Sequence, residues 1–243
     1  MLTEKGIRRI ITAGLLLAIT ALLTFTRIGF IPAPTPAGNA TIAHIPAIIG
    51  GILEGPLVGL VVGFGFGLAS FMQAAIPAFK DPLVAIAPRL FIGVTAGLVY
   101  TLLQRADKRT LRIILSVLLV LSLLSSYQVA RTTPDPASTG LSNLVKGIIV
   151  AALATAATVF LFLWLRREDV QVVGLAIAAA VGSLTNTVLV LSMASLRGYW
   201  PAEASWAIGL THGIPELIIS GIIVVGVVTA LRQIGQRRGR SRL

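Results

Sequence analysis

Residues 170–196, VQVVGLAIAAAVGSLTNTVLVLSMASL, contain no charged side chain and decide the fold class of this chain. About 20 apolar residues in a helix cross the hydrocarbon core of a bilayer, and this stretch exceeds that length. Its apolar residues do not alternate with polar ones, as they do on the strands of a membrane barrel. Because lipid offers the backbone no hydrogen-bond partner, the stretch predicts a membrane-spanning α-helix.

The rest of the chain has the same character. Of its 243 residues, 56% are hydrophobic and 12% are charged, against about 25% charged residues in an ordinary soluble domain. We therefore predict an all-α, polytopic membrane helix bundle that forms a single transmembrane domain. The apolar segments that predict its helices cover about residues 7–27, 43–54, 56–78, 82–104, 111–131, 142–165, 170–195 and 208–231.

Positive charges are unevenly distributed among the loops that connect these segments. If the N-terminus is cytoplasmic, most Lys and Arg residues fall on the inner side of the membrane, as the positive-inside rule requires. The net charge of +11 therefore indicates sidedness in a bilayer rather than binding to nucleic acid. We expect a multi-pass protein of the plasma membrane with both termini in the cytoplasm.

The first two segments each fit two interpretations. Segment two, residues 43–54, is short enough to be a re-entrant segment that enters and leaves the membrane on the same side. In that case, however, the cations at the N-terminus would lie on the opposite side of the membrane from the other clusters of Lys and Arg, against the positive-inside rule. We therefore predict a short, tilted crossing. Segment one also fits a cleaved signal peptide with a site near residues 37–40. We expect it to be retained, because cleavage would leave a chain that starts with a loop used by the later motifs.

Few ionisable or amide side chains fall within the apolar segments, and they share a common depth. At 1.5 Å per helical residue, Arg89, Asn186, His212, Glu216 and His44 all fall within about 15 Å of the outer surface. Such groups are costly in a bilayer unless they are paired or line a cavity. We predict a pocket that is loaded from the outside. Two alternatives stay open, namely a structural ion pair between Arg89 and Glu216 and a structural role for His44.

Proline-rich and small-residue patterns add two expectations. The outer loop at residues 27–41 is stiffened by prolines, and its part from Pro32 to Asn39 is either a lid over the pocket, with Asn39 as a binding residue, or a plain connector. Small residues at every fourth position allow helices to approach closely. They are Gly55, Gly59, Gly63 and Gly67 on segment three, where we expect packing, and Gly14 and Ala18 on segment one, with Ala21 adjoining, where either an internal neighbour or a partner protein fits.

The chain lacks the motifs of common enzyme and ATPase sites. No Walker A sequence is present, so the chain does not bind ATP through a P-loop. The chain has no cysteine and two distant histidines, which is a poor basis for a zinc site. Ser183 lacks the context of a nucleophilic serine. We therefore predict no enzymatic activity, no catalytic residue, no cofactor and no metal.

A series of short motifs occurs in a fixed order along the chain. They are HIPAIIG (44–50), GP (55–56), DPLV (81–84), PRL (88–90), GSLTNT (182–187) and HGIPE (212–216). Together they resemble the substrate-binding S component of energy-coupling factor (ECF) vitamin transporters. The branch that holds pantothenate- and folate-type members is the most similar one, and the resemblance covers segments one to four, seven and eight.

The resemblance implies a six-helix core that binds a vitamin under an outer loop. It also implies assembly with a membrane T component and two cytoplasmic ATPases, and a toppling movement that carries the vitamin inward. In that family a small-residue face on the first helix contacts the T component, which assigns Gly14 and Ala18 to this contact. One departure is a predicted helix pair at about residues 111–165, which we interpret as an insertion between core parts 1–105 and 170–233.

These observations lead to one preferred function and three alternatives. The preferred function is capture of a water-soluble vitamin or related metabolite, with pantothenate first because the guanidinium fork of Arg89 fits a carboxylate. Asn186, His212 and Glu216 would then orient the ligand through hydrogen bonds. The alternatives are a stand-alone proton-coupled transporter in which Glu216 and His212 exchange protons, an enzyme acting on lipid head groups, and a structural or assembly subunit.

Overall fold

The computed structural model describes residues 3–32, 39–107, 109–110 and 169–240, together with a few isolated positions between 113 and 163. These residues are almost entirely helical, which confirms the all-α class. The predicted helix pair at about residues 111–165 lies outside the described residues, apart from those isolated positions. So does most of the predicted lid, because residues 33–38 are among those not described.

The described helices follow the predicted segments closely in the first half of the chain. They are α1 Glu4–Phe25, α2 Ile45–Glu54, α3 Pro56–Met72, α4 Pro82–Ala85, α5 Ala87–Leu103, α6 Val170–Leu196 and α7 Ala202–Arg240, with a 3-10 helix at Pro77–Lys80. Two short strands, β1 Phe30–Pro32 and β2 Asn39–Thr41, pair in antiparallel fashion within the proline-rich loop. The sequence did not predict these strands, because three residues are too few to show an alternating pattern.

Four helical stretches of the described chain are long and apolar enough to cross a membrane. They are Glu4–Phe25, Pro82–Leu103, Val170–Leu196 and Pro215–Ile234. The chain is therefore a multi-pass membrane protein. Helices α2 and α3 are shorter, and α2 is buried from Ile45 to Ile52 by its neighbours. The predicted tilted crossing of segment two stays a prediction, but its burial among longer helices agrees with it.

Two helices differ in length from the predicted segments. Segment three was expected to reach residue 78, whereas α3 ends at Met72 and is followed by the separate 3-10 helix. Segment eight was expected at 208–231, whereas α7 runs from Ala202 to Arg240. Charged residues near both ends of α7 mark where the apolar stretch stops, but a helix can continue past them into water.

Glycines bring α3 and α5 into close contact. A Cβ atom on Gly59 would lie 2.6 Å from the carbonyl carbon of Gly93, and one on Gly63 would lie 2.2 Å from the carbonyl oxygen of Arg89. The expected packing role of the stripe is confirmed at these positions. Gly55 differs, since it connects α2 to α3 with a φ of 99° and a Cβ there would meet nothing within 4 Å. It serves a turn that favours glycine rather than a helix contact.

Candidate functional site

Glu216 of α7 is held by hydrogen bonds from two other elements. Its side chain is buried, the backbone N–H of Thr41 donates to Oε1 at 2.6 Å, and the hydroxyl of Thr187 donates to Oε2 at 3.3 Å. Thr41 ends β2 and Thr187 lies on α6. The carboxylate therefore joins the proline-rich loop, α6 and α7 at one point inside the bundle.

Thr41 fixes the base of the hairpin at this point. Its hydroxyl donates to the carbonyl of Gly29 at 3.1 Å and accepts a hydrogen bond from the backbone N–H of Ala43 at 3.1 Å. The segment that leads from β2 into α2 is thus held by bonds to Gly29, which precedes β1, and to Glu216. A change at Glu216 is therefore transmitted to the loop above it.

His44 lies at the N-terminal end of α2 and is completely buried. Its Nε2 atom lies 2.9 Å from the hydroxyl of Ser220, which follows Glu216 by one turn on α7. Its other ring nitrogen, Nδ1, makes no hydrogen bond of standard geometry with a described residue, although the backbone of Thr41 lies close enough to interact with the ring. The ring therefore ties the start of α2 to α7.

Arg89 is buried in the first turn of α5 between two aromatic rings. Its guanidinium carbon lies 5.2 Å from the ring centre of Phe79 and 5.7 Å from that of Phe66. One terminal nitrogen donates to the carbonyl of Val84, and Nε has no partner among the described residues. Aromatic faces stabilise a guanidinium, but they do not neutralise its charge.

No carboxylate is in contact with this guanidinium within the described chain. The ion pairs between described residues are Arg8 with Glu54 and Arg197 with Asp81. The charges of Arg89 and Glu216 attract each other through the interior without a direct pair. The alternative of a structural ion pair between them is therefore not formed in this structure, and Arg89 keeps a buried positive charge.

Further polar atoms on α6 are also buried without a hydrogen-bond partner among the described residues. They are Oδ1 of Asn186 and the hydroxyl of Ser183, one turn earlier on the same helix. An unsatisfied buried group costs about 1–3 kcal/mol, and native proteins leave few of them. Nε of Arg89 is buried in the same way, so the unsatisfied buried atoms include both a donor and an acceptor.

His212 and Pro215 mark the part of α7 that leads to Glu216. His212 is buried one helical turn before Glu216. Pro215 lies inside the helix and has no N–H group, so one carbonyl in the preceding turn loses its helical hydrogen bond. Interruptions of this kind occur where helices border binding sites in membrane proteins.

The remaining predicted site residues lie elsewhere. Asn39 is exposed on β2, and the structure does not bring it into the buried group. Gly14 and Ala18 are exposed on α1, Ala21 is half-buried, and a Cβ on Gly14 would meet nothing within 4 Å. In the described chain, no internal neighbour therefore covers Gly14.

Asp81, Arg197 and Tyr199 form a polar clasp at the end of the bundle where α4 starts and α6 ends. The Asp81 carboxylate accepts hydrogen bonds from Arg197 Nε at 2.7 Å and from the Tyr199 hydroxyl at 3.4 Å. The bond from Arg197 lowers the pKa of Asp81, and the same bond raises the pKa of Arg197. The clasp fastens the start of α4 to the end of α6.

The clasp is connected to Arg89 through an aromatic contact. Trp200 follows the clasp residues and packs edge-on against Phe79, with ring centres 6.1 Å apart. Phe79 is one of the two rings against Arg89. The residues that sequence reasoning missed are Thr41, Thr187 and Ser220, together with the aromatic partners of Arg89.

The described residues contain no group of three or more His, Asp or Glu side chains that could hold a metal ion. The comparison with protein families gives a match over most of the chain. The model of the family described as ECF transporter, substrate-specific component, matches residues 8–230. The chain belongs to this family. No curated protein matches the chain.

Membership confirms the resemblance found in the sequence. The S component described here is a membrane-embedded substrate-binding subunit of an ECF transporter and not an enzyme. Subunits of this family bind small molecules and work with a T component and ATPases. The buried polar group around Arg89 and Glu216 is the candidate site for such a molecule.

Proposed function

We propose that this S component captures a small anionic solute, in the vitamin class, from the outer side of the membrane. The solute is bound among α2, α5, α6 and α7, beneath the hairpin of β1 and β2. The observation that carries the proposal is the buried guanidinium of Arg89, which no carboxylate of the described chain contacts. Glu216 attracts this charge only from a distance. A buried charge without a directly paired counterion is unfavourable, and an anionic ligand supplies the direct partner.

The other polar atoms of the site support a ligand that also carries hydroxyl or amide groups. Oδ1 of Asn186 is an acceptor and needs a donor from the ligand, whereas the hydroxyl of Ser183 serves in either sense. Pantothenate combines one carboxylate with two hydroxyls and an amide, so it matches this set. It is the first candidate, and the pantothenate- and folate-type branch is the proposed position within the family.

We propose for Glu216 a role other than direct contact with the solute. Both of its carboxylate oxygens accept hydrogen bonds from the protein, from Thr41 and Thr187. We assign it the task of holding the hairpin over the site, while His44 and His212 complete the wall. Binding of the solute and order of the loop are thereby coupled through one carboxylate.

The energising partners are proposed to be a T component and two cytoplasmic ATPases. The exposed small residues Gly14 and Ala18, with Ala21 beside them, form the proposed contact with the T component. The proposed orientation places both termini in the cytoplasm of a plasma-membrane protein. The transmembrane domain is proposed to consist of a core at 1–105 and 170–233, with an added helix pair at about 111–165.

A ligand screen on the purified protein tests the proposal. Thermal unfolding in detergent is measured with a panel of vitamins, because a ligand that binds only the folded state raises its apparent stability. We expect an anionic member, with pantothenate first, to raise the Tm of the wild type but not that of Arg89→Gln. The matched control, Arg105→Gln, removes an exposed cation and should keep the response. No response to any member would contradict the proposal.

A further inference from the structure

A cavity lies at the end of the bundle opposite the clasp. Its volume is about 510 Å³, and it lies between the start of α6 and the last turns of α7. Polar residues Asp169, Gln171, Thr229 and Arg232 line it together with apolar Leu175. It shares no residue with the candidate solute site and has no part in the proposed function.

Two opposite charges line this cavity without pairing with each other. Asp169 precedes α6, and its side chain does not cap the helix. Arg232 lies near the end of α7, and the described chain contains no ion pair between the two. A cavity with separated positive and negative groups is complementary to a ligand that carries both charges.

Arg232 is held in position by Tyr100 of α5. One of its terminal nitrogens donates to the Tyr100 hydroxyl at 2.6 Å, and its guanidinium carbon lies 5.1 Å from the centre of the Tyr100 ring. Tyr100 is itself buried. A guanidinium has five N–H donors, and this bond uses one of them, so a fixed and partly buried cation remains available to a ligand.

The position along the spans places the cavity at the edge of the membrane. Asp169 immediately precedes the span Val170–Leu196, and Arg232 lies in the last turn of the span Pro215–Ile234. Apolar Val170, Val172 and Leu175 line the cavity next to these charged groups. A molecule with a polar head in the cavity would therefore have apolar helix surface beside it for its acyl chains.

The geometry points to a binding site for one phospholipid whose headgroup carries both a phosphate and a primary ammonium, as in phosphatidylethanolamine. Arg232 binds the phosphate with charge-assisted hydrogen bonds, Asp169 binds the ammonium, and Thr229 and Gln171 supply further polar contacts. A purely anionic headgroup, as in phosphatidylglycerol, meets repulsion from Asp169. Free phosphate meets the same repulsion and gains nothing from the apolar surface.

Lipid titration of the delipidated full-length protein, followed by native mass spectrometry, tests the site. Phosphatidylethanolamine, phosphatidylcholine and phosphatidylglycerol are compared, with inorganic phosphate as a competitor. We expect one phosphatidylethanolamine to bind about fivefold more tightly than phosphatidylglycerol, and phosphate not to displace it. Equal binding of the three lipids, or displacement by phosphate at matched concentration, would overturn the assignment.

Charge variants separate the two halves of the headgroup. Arg232→Gln should weaken the binding of phosphatidylethanolamine about fivefold. Asp169→Asn should abolish the preference over phosphatidylglycerol, because phosphatidylethanolamine loses the partner of its ammonium and phosphatidylglycerol is no longer repelled. Arg105→Gln and Asp107→Asn remove exposed charges outside the cavity and should change neither value. If Arg232→Gln does not fold, Tyr100→Phe is used instead. It removes the hydroxyl that holds Arg232 and should weaken the binding of phosphatidylethanolamine. The site would be refuted if Arg232→Gln and Asp169→Asn bound both lipids with the same affinities as the control variants.

Discussion

The backbone N–H of Thr41 lies 2.6 Å from Oε1 of Glu216, although 175 residues separate the two along the chain. This bond fastens the base of the hairpin of β1 and β2 to the helix that carries His212 and Ser220. The loop and the buried site are therefore parts of one hydrogen-bonded unit. A solute that binds beneath the hairpin meets a wall whose position depends on Glu216.

Removing the Glu216 carboxylate should release the hairpin. We expect Glu216→Ala to lower the free energy of unfolding by about 2–4 kcal/mol, because a buried N–H and a buried hydroxyl lose a charged acceptor. Glu216→Gln keeps one acceptor and should cost less. Thermal unfolding gives the stability, and hydrogen exchange at Thr41 reports the hairpin. The control is Glu203→Gln, at an exposed position on the same helix, which should change neither the stability nor the exchange at Thr41. If Glu203→Gln lowered both as much as Glu216→Ala does, this role of Glu216 would be refuted.

The close approach of α3 and α5 should not tolerate a methyl group. A Cβ on Gly63 would lie 2.2 Å from the carbonyl oxygen of Arg89, so Gly63→Ala must separate the helices and shift Arg89. Overpacking of this kind costs about 1–3 kcal/mol, and we expect solute binding to weaken as well. The control is Gly226→Ala, where a Cβ meets nothing within 4 Å. A stability of Gly63→Ala equal to that of Gly226→Ala would show that the contact is unimportant.

The clasp should loosen in acid. The hydrogen bond from Arg197 lowers the pKa of Asp81 in the folded protein below its unfolded value of 3.8. The stability that Asp81 contributes is therefore complete above the unfolded pKa and is lost as the pH falls through the lower, folded pKa. The difference in Tm between wild type and Asp81→Asn should shrink below about pH 4. A difference that stays constant down to pH 3 would exclude this linkage.

The small-residue face of α1 should affect assembly and not solute capture. Gly14→Leu and Ala18→Leu add bulk to an exposed surface, so we expect at least about a tenfold loss in co-purification with the T component and no change in solute affinity. The control Gly226→Leu adds the same bulk to another exposed helix position. Unchanged assembly in both α1 variants would remove the proposed docking face.

Much of the fold follows from the sequence because apolar runs define spans, and the buried polar residues stand out against them. Arg89, Asn186, His212 and Glu216 could be selected for that reason, and all four are buried. Their partners could not be selected. Hydroxyl groups in membrane helices often bond to their own helix, as Thr20 does to the carbonyl of Leu16, so Thr187 and Ser220 gave no comparable signal.

The outer loop shows a second limit of the sequence. Asn39 was selected for its polarity, but the structure exposes it and uses the backbone N–H of Thr41 instead. Every residue except proline has a backbone N–H, so composition cannot reveal which one binds a buried carboxylate. The pairing of β1 with β2 determines which N–H faces Glu216, and that arrangement depends on contacts between distant parts of the chain.

The central claim, that Arg89 binds the anionic group of the solute, is tested most directly by calorimetry with a carboxylate ligand and its uncharged analogue. Pantothenate and panthenol, which has an alcohol in place of the carboxylate, are the first pair. The account predicts that the wild type binds pantothenate at least about tenfold more tightly than panthenol, and that Arg89→Gln loses this preference. Binding of pantothenate to Arg89→Gln as tightly as to the wild type would contradict it.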